Sequence, residues 1–107
     1  MNHKLKNTGI LGVGNSIPQK VITNHDLEKM VDTSDEWITK RTGISERRIL
    51  EKDEPVYKLG VEASERALKS SGLKAEDIDL IIVSTSTPDY LTPSMSCIIQ
   101  RHIGAFH

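Results

Sequence analysis

The sequence predicts an α/β fold in which helices cover a parallel sheet. One observation is the unbroken apolar, β-branched run Leu80-Ile81-Ile82-Val83, the pattern of a strand buried on both faces. Another is the order of elements around it: a strand, short helices, a long helix, the buried strand and a last helix. That order makes a right-handed crossover over a parallel sheet the economical topology. Size is the third: 107 residues and 11.9 kDa leave room for a single modest core.

Residues 7–16 mix apolar side chains with Gly9, Gly12 and Gly14 and lead into Pro18, which reads as a first strand ending in a turn. Thr23, three residues before Asp26, matches a capping box, and Leu27, Met30 and Val31 would share one side of the short helix it starts. A second helix follows at once. Thr33 and Ser34 can cap it, Asp35 and Glu36 fill its first turn, Lys40 and Arg41 its last, and Gly43 stops it, so charges and helix dipole agree. Residues 44–50 alternate loosely, as an edge strand or extended loop would, and 51–55 are a solvated connection.

Pro55 suits the entry to a long helix reaching Ser71, stopped by Gly72. Glu62/Arg66 and Glu65/Lys69 then fall four apart on its exposed side, leaving Leu59, Ala63, Ala67 and Leu68 for the core. After the buried run, Thr92 and Pro93 fit the N-cap and first turn of a last helix over 94–103, closed by Gly104. A strand buried on both faces needs neighbours on each side, and few segments here can supply them. The expectation is therefore that the chain is a fragment of a larger sheet protein.

Composition narrows the function classes. Lys plus Arg is 14 against 15 for Asp plus Glu, a formal charge of -1 with no long run of one sign, which weighs against a nucleic-acid partner. The hydrophobic fraction is 36%, or about 43% once glycine is counted, a little below the roughly 45–50% of ordinary domains. A single cysteine forbids an internal disulfide. Met1-Asn2-His3-Lys4-Leu5-Lys6 opens neither a signal peptide nor a spanning helix, so a reducing, cytoplasmic setting off the membrane is the default.

Four features could carry chemistry. Trp37 and Arg41 stand four apart on one predicted helix, so an indole plate and a planar guanidinium share a face. They could clamp a nucleotide by stacking and paired hydrogen bonds, or Trp37 could be a core residue partly covered by a surface Arg. Gly9, Gly12 and Gly14 lack the spacing and following helix of a phosphate loop and are read as strand bending or close packing. Cys97 beside Ile98 and Ile99 is read as an inert buried thiol about five residues inside its helix. His3, His25, His102 and His107 have no metal-ligand spacing, and the dispersed acidic residues single out no acid/base pair.

The run Thr23-Asn24-His25-Asp26-Leu27, through Val31-Asp32-Thr33-Ser34-Asp35-Glu36-Trp37-Ile38, to Arg41-Thr42-Gly43-Ile44 and Arg47, resembles the signature segment of β-ketoacyl-acyl-carrier-protein synthase III. Asp79 to Thr87 before Pro88-Asp89-Tyr90, and Pro93-Ser94 with the helix to Gly104, agree with the same family. The resemblance implies a thiolase-like fold. Complete members pair two similar halves as a five-layered α/β/α/β/α homodimer, and residues 1–107 would be a partial N-terminal domain cut before the catalytic cysteine.

It further implies an acyltransferase that starts fatty-acid synthesis by condensing a short acyl-CoA with malonyl-acyl carrier protein. In such enzymes a cysteine takes the acyl group, and a His and an Asn assist decarboxylation and hold the oxyanion. None of the three maps onto this chain: the nucleophile would follow shortly after His107, and Cys97 does not match it. The fragment alone is expected to be inactive. No tightly bound cofactor is implied, with acyl-CoA serving as substrate. By the same resemblance Trp37 stacks on adenine, Thr33 touches it, and Arg41 and Thr42 lie near the nucleotide and the entrance. Ser86 would face the substrate pocket. Thr92 stands where some members carry an aromatic that enters the partner subunit's acyl pocket, and here it is small and polar. Two alternatives stay open: a related acyltransferase of specialised metabolism, and a non-catalytic coenzyme-binding or dimer-forming module.

Overall fold

A computed structural model describes residues 7–106. They divide into two compact units, one of residues 17–56 and one joining residues 7–16 to 57–106. His3 and His107 lie outside the described residues.

The 17–56 unit is a two-stranded antiparallel ladder carrying two short helices. Strand β1, Lys20–Thr23, pairs with β2, Glu46–Ile49, with Lys20 opposite Ile49 and Thr23 opposite Glu46. The edge strand expected within 44–50 is thus present. Its partner β1 was not expected, because four residues after a proline turn show no readable alternation. Arg48 donates to the Gln19 carbonyl at 3.1 Å, and Lys20 pairs with Glu51 at 3.1 Å.

Helix α1, Asn24–Glu28, begins with the predicted capping box: the Thr23 hydroxyl accepts from the Asp26 amide, and the Asp26 carboxylate accepts from the Thr23 amide at 3.0 Å. The helix ends sooner than the apolar spacing suggested. Met30 and Val31 both donate their amides back to the Leu27 carbonyl at 2.9 Å, forming a turn, and their side chains are exposed, so the anticipated apolar side does not form. Helix α2, Asp35–Thr42, is capped by Ser34, whose hydroxyl accepts from the Trp37 amide at 3.1 Å. It ends at Gly43, left-handed at φ 69°, whose amide reaches the Thr39 carbonyl at 2.8 Å. No residue of α2 is buried.

The other unit is held by α3, Tyr57–Ser71, and α4, Met95–Ile103, with a short 3₁₀ turn at Ala75–Asp77 between them. Met95, Ile99 and Ala105 are its buried apolar residues among those described. The helices meet closely at Gly60, where a Cβ would stand 2.6 Å from Ile99 Cδ1, the far end of that side chain. Glu62 and Arg66 form the expected ion pair on the outer side of α3 at 3.0 Å. Helix α4 starts from Ser94, which accepts from the Cys97 amide at 3.4 Å, so Thr92 lies two residues outside the cap position expected for it. Tyr57 and Asp89 are joined through the Tyr57 amide at 2.8 Å.

Two further expectations are corrected. Neither residues 7–16 nor 80–83 form a strand, and the only ladder among the described residues is antiparallel, not parallel. Leu80 and Ile82 are 74% and 82% exposed while Ile81 and Val83 are half-buried, so this run covers one face and not two. The physical reason is backbone pairing: an extended segment becomes a strand only when another backbone takes its hydrogen bonds, and among the described residues neither segment is paired in a ladder. Residues 7–16 lie instead against α3. A Cβ on Gly12 would come within 2.7 Å of the Ala67 carbonyl and the Ser71 amide, and one on Gly14 within 2.5 Å of the Ala67 amide. Close packing, not phosphate binding, accounts for both glycines.

Replacing Gly14 by Ala is expected to lower unfolding stability by about 1–3 kcal/mol, because the obstructing atoms are helix backbone and cannot turn aside; an unchanged urea midpoint would contradict this packing. Acid should loosen the 17–56 unit. The Thr23 amide and hydroxyl, with Lys29, hold Asp26 below its ordinary pKa of 3.8, and the Asp35 amide, with His25, holds Glu28 below 4.5. Depressed folded values mean that the stabilisation is complete above 4.5 and is lost as the pH falls through them. Asp26→Asn is expected to flatten that acid limb in circular-dichroism titrations.

Candidate functional site

Helix α2 is the element that builds the site. Ser34 fixes its first turn and Gly43 its last, and the four-residue spacing brings Trp37 and Arg41 to the same side. The Arg41 guanidinium carbon stands 4.2 Å from the centroid of the indole ring, a cation–π contact worth about 0.5–1 kcal/mol at an exposed position. Trp37 is 55% exposed. That exposure decides between the two readings of the pair: the indole is a surface plate, not a core residue partly covered by Arg41.

Ser34, Glu36 and Lys40 complete an open groove of about 520 Å³ around the pair. Two cationic side chains, Lys40 and Arg41, face it against one carboxylate, Glu36, beside a flat aromatic surface. The groove thus suits a flat ring carrying anionic groups. The planar guanidinium can stack or donate paired hydrogen bonds to phosphate, while Lys40 supplies a mobile point charge. Lys40 and Glu36 were legible in the sequence only as helix-end charges. Their membership of the groove follows from their side of the helix being exposed.

The other predicted site residues fall elsewhere. Thr33 precedes the cap and is half-buried. The Thr42 hydroxyl donates to the Ile38 carbonyl at 2.8 Å and accepts from the Ile44 amide at 3.0 Å, so its hydrogen bonds go to the end of α2. Neither lines the groove. Ser86, in a bend after the extended run, and Thr92, before Pro93, are exposed residues of the other unit.

Cys97 corrects an expectation. It is the third residue of α4 rather than deep inside it, and it is exposed. The buried stripe of α4 runs through Met95 and Ile99, and a residue midway between them points away from it. The Ser94 hydroxyl donates to its sulfur at 3.2 Å. Among the described residues no group of His, Cys, Asp and Glu could hold a metal ion, and no helix is long and apolar enough to cross a membrane.

No protein-family model matches the chain. It is 56% identical over 101 residues to a β-ketoacyl-[acyl-carrier-protein] synthase III of Bacillus anthracis, an alignment covering 94% of this chain and 33% of that one. The solved structure of 3-oxoacyl-[acyl-carrier-protein] synthase III from Aquifex aeolicus superposes with a TM-score of 0.87 at 47% identity, covering 92% of this chain and 32% of the other. The priming β-ketosynthase of the R1128 polyketide pathway superposes at 0.84 with 43% identity, over 90% of this chain and 29% of the other. The chain therefore spans about a third of the length of the curated relatives it matches. It shares the thiolase-like α/β fold over that third.

An exposed thiol on the outer face of α4 is expected to react fully with a chromogenic disulfide reagent in buffer, without denaturant. Protection of Cys97 until the chain unfolds would contradict its placement.

Proposed function

We propose that this chain is the coenzyme-A-binding opening of a β-ketoacyl-acyl-carrier-protein synthase III, a longer acyltransferase that condenses a short acyl-CoA with malonyl-acyl carrier protein to begin fatty-acid synthesis. The observation that carries the proposal is the exposed indole of Trp37 with the Arg41 guanidinium 4.2 Å from its centre. An exposed Trp beside two cations matches the two parts of an adenine nucleotide, a π-face and anionic phosphates. The likeness to synthases III over more than nine-tenths of this chain supports the same reading.

In this reading Trp37 receives the adenine and Arg41 and Lys40 hold phosphate oxygens, while Thr33 and Thr42, which do not line the groove, stand at the two ends of the helix that carries it. Ser86 and Thr92 belong to the acyl side. Coenzyme A acts as the carrier of a substrate, not as a resident cofactor. The covalent chemistry belongs to polypeptide beyond these residues: a thiolate attacks the thioester carbonyl, the coenzyme leaves as its thiol, and donors placed around the carbonyl stabilise the oxyanion. Residues 7–16 and 80–83 supply strand-forming segments whose hydrogen-bonding partners come from that longer sequence. A cytoplasmic homodimer acting on acyl-CoA and malonyl-acyl carrier protein completes the assignment, with neither nucleic acid nor membrane as a partner.

The likeness to a priming ketosynthase of polyketide synthesis at 43% identity favours, as a second reading, an acyltransferase serving a specialised pathway. Product analysis of the longer enzyme separates the two. For the coenzyme site itself, Trp37→Ala in the longer enzyme is expected to weaken coenzyme A binding by about 1–3 kcal/mol, roughly 5- to 150-fold, through lost stacking. Calorimetric titration that finds equal affinity would remove Trp37 from the site.

A further inference from the structure

The centre of the 17–56 unit is polar. Among its described residues only Asn24 is buried, at 1% exposure, and α2 contributes no buried side chain at all. The helix that carries Trp37 and Arg41 is therefore not seated by an apolar core. Besides the Asp35 amide, which donates to Glu28 Oε1 at 2.6 Å, its attachment runs through side-chain hydrogen bonds that converge on one amide.

Asn24 Nδ2 donates to Asp35 Oδ1 at 2.8 Å and to the Ile44 carbonyl at 2.7 Å, with Thr39 Oγ1 at 3.3 Å. Two N–H groups serve the two short contacts, while the Thr39 hydroxyl itself donates to Asp35 Oδ1 at 3.3 Å. Asn24 Oδ1 accepts from the Arg47 guanidinium at 2.5 Å, and the Asn24 amide donates to the Ser45 carbonyl at 2.9 Å. Arg47 can only donate, so the side-chain oxygen must face it, and the orientation of the amide is settled by chemistry. One side chain thus ties the start of α2, its second turn, the chain just past its end, and β2.

The contacts have a direction. Asp35 and Thr39, four apart, share one side of α2. Trp37 and Arg41 follow each by two residues, about 200° around the helix, and share the opposite side. Asn24 grips the back of the helix whose front is the clamp. We propose that Asn24 is the positioning residue for the Trp37–Arg41 clamp, setting the rotation of α2 about its axis so that the indole and guanidinium present together. This rests on the coenzyme reading above for what the clamp binds, though not for the geometry.

Asn24→Asp keeps the shape and the acceptor for Arg47 but puts carboxylate oxygens against Asp35 and the Ile44 carbonyl. Because Trp37 is the single tryptophan, its fluorescence anisotropy reports the clamp directly in the full chain. The expected result is at least a doubling of the amplitude of local Trp37 motion at matched far-UV circular dichroism, with at least tenfold weaker quenching by coenzyme A. Adding Asp35→Asn, which returns an amide opposite the new carboxylate, should recover part of both losses. Recovery by restored complementarity would not follow from a general loss of stability.

Should Asn24→Asp fail to fold, Asp35→Ala removes the principal side-chain acceptor at a helix start that tolerates Ala, and the same two readouts should move in the same direction. Unchanged Trp37 anisotropy in the folded variant, or losses that the added Asp35→Asn leaves untouched, would overturn the positioning role. If coenzyme A fails to quench the unmodified chain, the coenzyme reading falls, and the anisotropy alone still decides whether Asn24 positions the clamp.

Discussion

A buried amide with every polar group satisfied is the constraint on which the candidate site depends. Asn24 meets two strong acceptors with its two N–H groups and a guanidinium with its oxygen. Leaving any of them unpaired in a buried position costs more than making the bond gains. The 17–56 unit is thereby specified by direction rather than by bulk apolar burial. Directional bonds fix the rotation of a helix, which a smooth apolar contact of the same area would leave freer. That suits a helix whose outward side must hold two flat groups in register.

The other unit is organised by contact between two helices. Ile99 of α4 enters the space that Gly60 leaves open on α3, and the glycines of residues 7–16 let an extended segment lie directly on α3. A side chain fills the gap at Gly60, whereas at Gly12 and Gly14 backbone meets backbone. With so few buried apolar residues, small size is what allows dense contact. The exposed apolar side chains of Ile10, Leu80 and Ile82 belong to segments with no ladder partner among the described residues, as expected of strand sequences in a thiolase-like fold met without their neighbours.

Local chemistry was the most legible part of the sequence. The Thr23–Asp26 capping box, the stop at Gly43, the charged turns of α2 and the long helix from Tyr57 depend on residues within about one helical turn of each other, and all formed. The readings that failed concern distant groups. Whether 80–83 is a strand depends on a partner backbone, and whether Met30 and Val31 are buried depends on an apolar surface to receive them. Cys97 looked buried because it adjoins Ile98, yet the buried stripe of α4 runs through Met95 and Ile99 and leaves it facing out.

The contact of Trp37 with Arg41 was evident from their spacing, since any helix places positions four apart on one side. Its exposure was not evident, and neither was the amide behind it. An asparagine beside a capping box reads as one more polar residue of a helix start. By itself the sequence determined the four helices, the caps of α1 and α2, the stops at Gly43 and Gly104 and the pairing of Trp37 with Arg41, because those rest on interactions a few residues long, but not where α1 ends or α4 begins. Tertiary structure alone decided which side of each helix is covered, which extended segment finds a partner, and that Asn24 sits at the centre, because burial and long-range hydrogen bonds exist only once distant parts of the chain have met.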